Sequence, residues 1–212
     1  MQRLRAALIR LRTDLVACRA DWALVGGLAV SAQAEPRTTR DLDVVVSVSD
    51  DVRLESVGRF LLNHGYREVE HRENRRLGTA AKISYRVPGE SSAGVVADLL
   101  FAMTGIEPEV VAAAEVLEVM RGLAMPVART GHLLALKVLA RDPSYPDLRP
   151  QDAGDIRELL RVADREEVQR ARHALDLMMR RGFDLDIDDQ PRDLRAEFED
   201  LLMTYGTGRG GR

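Results

Sequence analysis

Asp41 and Asp43 stand two residues apart at the head of a β-branched run, Asp41-Leu42-Asp43-Val44-Val45-Val46. Side chains alternate along a strand, so a strand here turns both carboxylates to one face and Leu42 to the other. Two carboxylates about 4 Å apart repel by roughly 4 kcal/mol at an effective dielectric of 20, and a half-buried pair therefore calls for a neutralising cation. Mg²⁺ suits that role: it prefers oxygen ligands, keeps several waters and bridges carboxylates to phosphate oxygens.

A D-x-D pair alone is as well explained by a solvated strand end. Asp98 sharpens the case, being a single acid in the apolar run Val95-Val96-Ala97-Asp98-Leu99-Leu100-Phe101. An unpaired carboxylate inside a buried strand is costly, so Asp98 is expected to have a partner. If its strand lies beside that of Asp41 and Asp43, three carboxylates converge and two-metal phosphoryl transfer becomes feasible. Gly26-Gly27 follows the apolar segment Trp22-Ala23-Leu24-Val25 and precedes a helix-forming run. Backbone N–H groups and the positive end of a helix dipole can face a phosphate there, although a tight turn alone would also select glycine. The order strand, Gly-Gly, helix, then Arg37-x-Thr39-x-Asp41-x-Asp43 and a later acid on an apolar strand is far more specific than any one part.

These residues need a scaffold. Leu4, Ala7, Leu8, Leu11, Leu15 and Val16 recur at helical spacing, which predicts an amphipathic helix over Arg3–Arg19. After the strand Trp22–Val25, a helix is expected over Leu28–Ala34, ended by Pro36. Asp50 and Asp51 predict the start of a helix running to about Asn63, with Gly65 as its stop. Strands are expected over Ala81–Val87 and Val95–Phe101. Val116–Val127 reads as helix or strand, and Pro126 argues against a central strand at its end. Beyond it the pattern is helical: Thr130, as cap, to Arg141, then about 152–162, 166–180 and 192–205. The expectation is an α/β lobe over 1–128, a helical lobe over 129–205 and a flexible Gly-rich tail over 206–212.

Composition narrows the chemistry. With 212 residues, 45% of them hydrophobic, and a net charge of −3, the chain suits one core or two small lobes rather than a general nucleic-acid binder. No apolar run approaches a membrane span or a signal peptide, so the expected compartment is the cytoplasm. The single cysteine, Cys18, makes no internal disulfide or thiol zinc site and is expected to be a small buried residue on the first helix. His64, His71, His132 and His173 show no metal-ligand spacing and read as surface or capping residues. Arg59–Arg86 carries seven Lys/Arg against three Glu, a local patch that could meet a phosphate chain. Lys137 is one of only two lysines, the other being Lys82, and sits in the apolar run Leu133–Leu139. A lysine with a buried stem can reach a triphosphate or pair with Asp152.

The segments V-G-G-L-A-V and R-T-T-R-D-L-D-V-V-V resemble the signature of polymerase-beta superfamily nucleotidyltransferases, and within it AbiEii-like toxins. H-L-L-A-L-K-V-L-A-R and R-P-Q-D-A-G-D-I are similar to the helical segment of the same group. The resemblance spans about residues 20–160. It implies a nucleotidyltransferase fold with a mixed sheet flanked by helices and a C-terminal helical lobe. It also implies Gly26 and Gly27 at the nucleotide phosphates, with Asp41, Asp43 and Asp98 as ligands of two Mg²⁺ ions or of Mn²⁺. Lys137 and Asp152 would be cleft residues, with Asp155 one turn further on, and Arg37 and Thr39 belong to the nucleotide-binding set. Many superfamily members carry Ser after the first Gly; Gly27 offers only its amide.

The expected activity is transfer of a nucleoside monophosphate from an NTP to an acceptor hydroxyl, on tRNA or protein, by a toxin opposed by an antitoxin. Two alternatives stand beside it: an aminoglycoside-type enzyme with a small acceptor, and a nucleotide- or partner-binding module without catalysis.

Overall fold

Burial of one apolar stripe explains the first helix: α1 (Gln2–Ala17) buries Ala7, Leu8, Leu11 and Leu15. The computed structural model describes residues 2–39, 41–74, 78–89, 94–141, 150–185 and 190–206. It divides into two compact units. The first comprises 1–32, 37–103 and 107–128; the second comprises 33–36, 104–106 and 129–212.

The first unit is built on a sheet. Its strands are β1 (Asp21–Val25), β2 (Leu42–Ser47), β3 (Arg67–Asn74), β4 (Thr79–Arg86), β5 (Val96–Leu100), β6 (Glu115–Met120) and β7 (Leu123–Val127). Their order is β3-β4-β5-β2-β1-β7-β6. β2 runs parallel to β5 and β1 parallel to β7, while the other pairs are antiparallel, so the sheet is mixed. β1, β2 and β5 are central, and their near-continuous apolar composition matches that place: Ala23, Leu24, Leu42, Val44, Val45, Val46, Ala97 and Leu99 are fully buried. Short loops connect these strands to α2 (Gly26–Gln33), α3 (Asp51–Asn63) and α4 (Glu107–Ala112). Asp50 caps α3 by accepting from the Arg53 amide, and Gly65, at φ +89°, turns the chain after it.

Several expectations need correction. β3 was not foreseen: Arg67–Asn74 is polar and mostly exposed, an edge strand that exists by pairing with β4. The ambiguous 116–127 segment is the β6–β7 hairpin, turning at Gly122. Pro126 lies in β7, which has a neighbour on either side, because the parallel pairing with β1 is confined to Leu24 opposite Val127 and so needs no N–H from Pro126. Asp41 stands just before β2 and is exposed, rather than being part of the strand. Cys18 is half-buried in the turn that follows α1.

The second unit is helical: α5 (Thr130–Ala140), α6 (Pro150–Val162), α7 (Arg165–Arg181) and α8 (Leu194–Tyr205). Phe198, Leu175, Met178, Leu159, Ile156, Leu133 and Leu134 form its core. The expected Thr130 cap is incorrect, since Arg129 holds the cap position and gives no side-chain cap bond. Glu167 of α7 does the work instead: its carboxylate accepts from the Gly131 amide at 2.7 Å and from Arg129 Nε at 2.8 Å. Burial pushes the Glu167 carboxyl up, but the Gly131 amide and Arg129 outweigh it and hold the group below its usual range. Gly131 also lies under α7, where a Cβ would strike the Glu167 carbonyl. His132 is buried in α5 and is neither a surface nor a capping residue, because this helix is apolar on nearly every side. His64 ends α3, and His71 and His173 are exposed. The expected tail beyond Gly206 lies outside the described residues.

Candidate nucleotidyl transfer site

One row of residues crosses five strands. Val25 on β1 is in register with Asp43 on β2, Asp43 with Asp98 on β5, Asp98 with Ser84 on β4, and Ser84 with Glu70 on β3. In-register residues on neighbouring strands share a face about 5 Å apart. The two carboxylates are therefore neighbours by topology, at the point where β1 gives way to Gly26 and α2.

Gly26 has φ +64°, a left-handed conformation that favours glycine, and a Cβ there would collide with the Asp43 carboxylate. Asp43 thus reaches directly against the Gly-Gly turn. A Cβ on Gly27 would lie 2.8 Å from Thr39 Oγ1 and 2.9 Å from Arg37 Nη2. The space that a serine side chain would need at position 27 is filled by the Thr39 hydroxyl and the Arg37 guanidinium. Ser31 fastens this arrangement: its hydroxyl donates to the Gly27 carbonyl at 2.9 Å and accepts from the Arg37 amide at 3.1 Å. Sequence reasoning missed Ser31, although its place one turn after Gly27 on α2 carried the hint.

Asp98 has the partner its burial demanded. Lys82 Nζ lies 3.1 Å from Asp98 Oδ2 and 2.9 Å from Glu70 Oε2. Arg72 Nε donates to Glu70 Oε1 at 2.6 Å, and Lys82 and Arg72 together hold the Glu70 carboxyl down at about 2. Arg59 pairs with Glu55. Arg59, Arg72 and Lys82 of the Arg59–Arg86 stretch are thus matched by acids, and Arg75 and Arg76 lie outside the described residues.

In the second unit, Lys137 Nζ sits 2.6 Å from Asp152 Oδ1 and 2.8 Å from Asp155 Oδ2. Both acids are buried, and Asp152 Oδ2 accepts no hydrogen bond among the described residues. Two carboxylates thus share one cation. Lys137→Met is expected to destabilise the protein by about 3–5 kcal/mol, since it leaves the pair without that charge, whereas Lys137→Arg keeps it. Urea denaturation of the two variants checks this; equal loss in both would point to packing of the lysine stem instead.

Among the described residues, no three His, Cys, Asp or Glu side chains are arranged to cage a metal ion by themselves. The acids present still fit Mg²⁺. That ion is commonly held by one or two carboxylates together with substrate phosphates and waters, and Asp43 and Asp98 stand side by side next to a glycine turn suited to phosphate.

Comparison with known families settles the lineage. A family model described as "Nucleotidyl transferase AbiEii toxin, Type IV TA system" matches residues 10–206. The chain belongs to the AbiEii nucleotidyl transferase family. An antigenic nucleotidyltransferase-like protein from Paracoccidioides brasiliensis is similar in structure at 17% identity, over 95% of this chain and 91% of that one, with a TM-score of 0.52. ANT(2")-Ia, solved in complex with adenylyl-2"-tobramycin, is similar at 12% identity, over 82% of this chain and 97% of that one, with a TM-score of 0.53. These likenesses show the nucleotidyltransferase fold: a mixed seven-stranded sheet flanked by helices. No curated protein matches the chain. Among the described residues, no helix of this AbiEii family member is long and apolar enough to cross a membrane.

Proposed function

We propose that this AbiEii family member transfers a nucleoside monophosphate from an NTP to a hydroxyl of tRNA in a divalent-metal-dependent reaction. The observation that carries the reading is the register of Asp43 with Asp98 beside the Gly26 turn. Asp41, Asp43 and Asp98 are the proposed metal ligands. These residues would hold Mg²⁺, and the ion would supply positive charge against the charge that develops on the transferring phosphoryl group.

The chain's own residues supply position and charge. The amides of Gly26 and Gly27 open α2 toward phosphate oxygens, and the Thr39 hydroxyl and Arg37 guanidinium stand where the superfamily's serine would. Asp98 is assigned the proton of the acceptor hydroxyl. Pyrophosphate leaves as the acceptor oxygen bonds to the α-phosphorus.

The family description supports a toxin role opposed by a separately encoded antitoxin, and the cytoplasm is the proposed compartment. ANT(2")-Ia carries a small adenylylated acceptor in its own structure, but a likeness at 12% identity transfers fold rather than acceptor. Induced expression without a companion gene tests the role. Growth arrest by the native chain, with modified tRNA ends, and normal growth with Asp41→Asn are expected. Arrest by both forms would refute a catalytic origin of toxicity.

A further inference from the structure

Asp98, one acid of the proposed metal site, already has a cation of the protein's own. Lys82 is mostly buried, and its ammonium lies between Asp98 and Glu70, 3.1 Å from one and 2.9 Å from the other. The place of Glu70 beside it depends on an irregularity in β3. Between Glu68 opposite Tyr85 and Glu70 opposite Ser84, β3 advances two residues while β4 advances one, so Val69 is an inserted bulge residue. Without the bulge, Glu70 would stand opposite Ile83, on the other face of the sheet. The bulge therefore brings Glu70 to the face of Ser84, Lys82 and Asp98.

Resting on the metal-dependent reading above, we propose that Lys82 is a resident counter-ion that holds Asp98 until a divalent cation arrives, with Glu70 as its alternative partner. Lys82 is a positioning residue here, acting through Asp98. Its charge offsets the repulsion between Asp98 and Asp43 when no metal is bound, and it opposes entry of a bare cation. Glu70 sits on the far side of the ammonium and draws it away from Asp98. The pair thereby sets how much divalent metal the site takes before a nucleotide brings its own negative charge.

Opposite signs are expected from the two partners, which a purely structural ion pair would not give. Mn²⁺ binding to the purified protein without nucleotide, followed by the electron paramagnetic resonance of the free ion, is the readout. Lys82→Met removes the competing charge and is expected to tighten Mn²⁺ binding about tenfold, whereas Lys82→Arg stays near the native affinity. Glu70→Gln leaves Lys82 wholly to Asp98 and is expected to weaken binding about threefold. Circular dichroism confirms that each variant is folded; should Lys82→Met fail to fold, the Glu70→Gln arm decides alone. Unchanged or weaker binding in folded Lys82→Met, or unchanged binding in Glu70→Gln, overturns the counter-ion role while leaving the metal site standing. Absence of any native Mn²⁺ uptake that Asp43→Asn abolishes overturns the metal reading and this inference together.

Discussion

Asp43→Asn is expected to lower nucleotidyl transfer by at least about a hundredfold while leaving the melting temperature unchanged or slightly raised. The substitution keeps the shape of the side chain against Gly26 and removes its charge. In the metal-free protein, one of two neighbouring like charges disappears, which relieves their mutual repulsion. With nucleotide, the variant lacks a ligand where phosphate charge must be neutralised. Steady-state kinetics beside a thermal melt read both halves. Loss of activity together with a melting point lowered by many degrees would mean that Asp43 serves the fold rather than the reaction.

Gly26→Ala is the second large effect. Two penalties combine there: a left-handed φ of +64° and a Cβ directed into the Asp43 carboxylate. Backbone strain of this kind costs about 1–3 kcal/mol, and the collision must in addition push Asp43 or the turn out of place. Activity is expected to fall at least about a hundredfold, because a displacement of about 1 Å is enough to misalign reacting groups. Gly122→Ala is the control: φ is +69°, but nothing lies within 4 Å of the added carbon. It should show the backbone penalty in the melt and full activity. Equal activity losses in the two variants would remove the special place given to the Gly26 turn.

Much of the first unit's centre was legible because charge in an apolar strand is conspicuous. Asp98 among Val95–Phe101 demanded a partner, and the structure supplies Lys82 and the adjacent β2. The Gly-Gly turn and the D-x-D spacing carried their own physical reasons, and the family match agrees with the resemblance read from them. What stayed hidden depends on partners distant in sequence. β3 is polar on nearly every residue, so no apolar alternation marks it, and its bulge at Val69 can be seen only through the pairing with β4. The cap of α5 comes from Glu167, 36 residues beyond the Gly131 amide that it receives, while the local candidate, Thr130, makes no cap bond. His132 was misread as a surface residue although its neighbours Leu133, Leu134 and Ala135 are all apolar; a helix buried on most sides carries its polar residues inward as well. Pro126 shows the opposite failure, a sound rule applied without knowing that β7 meets β1 only at its last residue.

Metal-dependent transfer of a nucleoside monophosphate is tested most directly by α-³²P labelling. The native protein and the Asp41→Asn, Asp43→Asn double variant are each incubated with every α-labelled NTP, Mg²⁺ and total cellular RNA. Label entering tRNA with the native protein, and none with the double variant or without Mg²⁺, is the predicted result. Equal labelling by both forms, or no label in RNA and no pyrophosphate released by the native protein with any NTP, would contradict it.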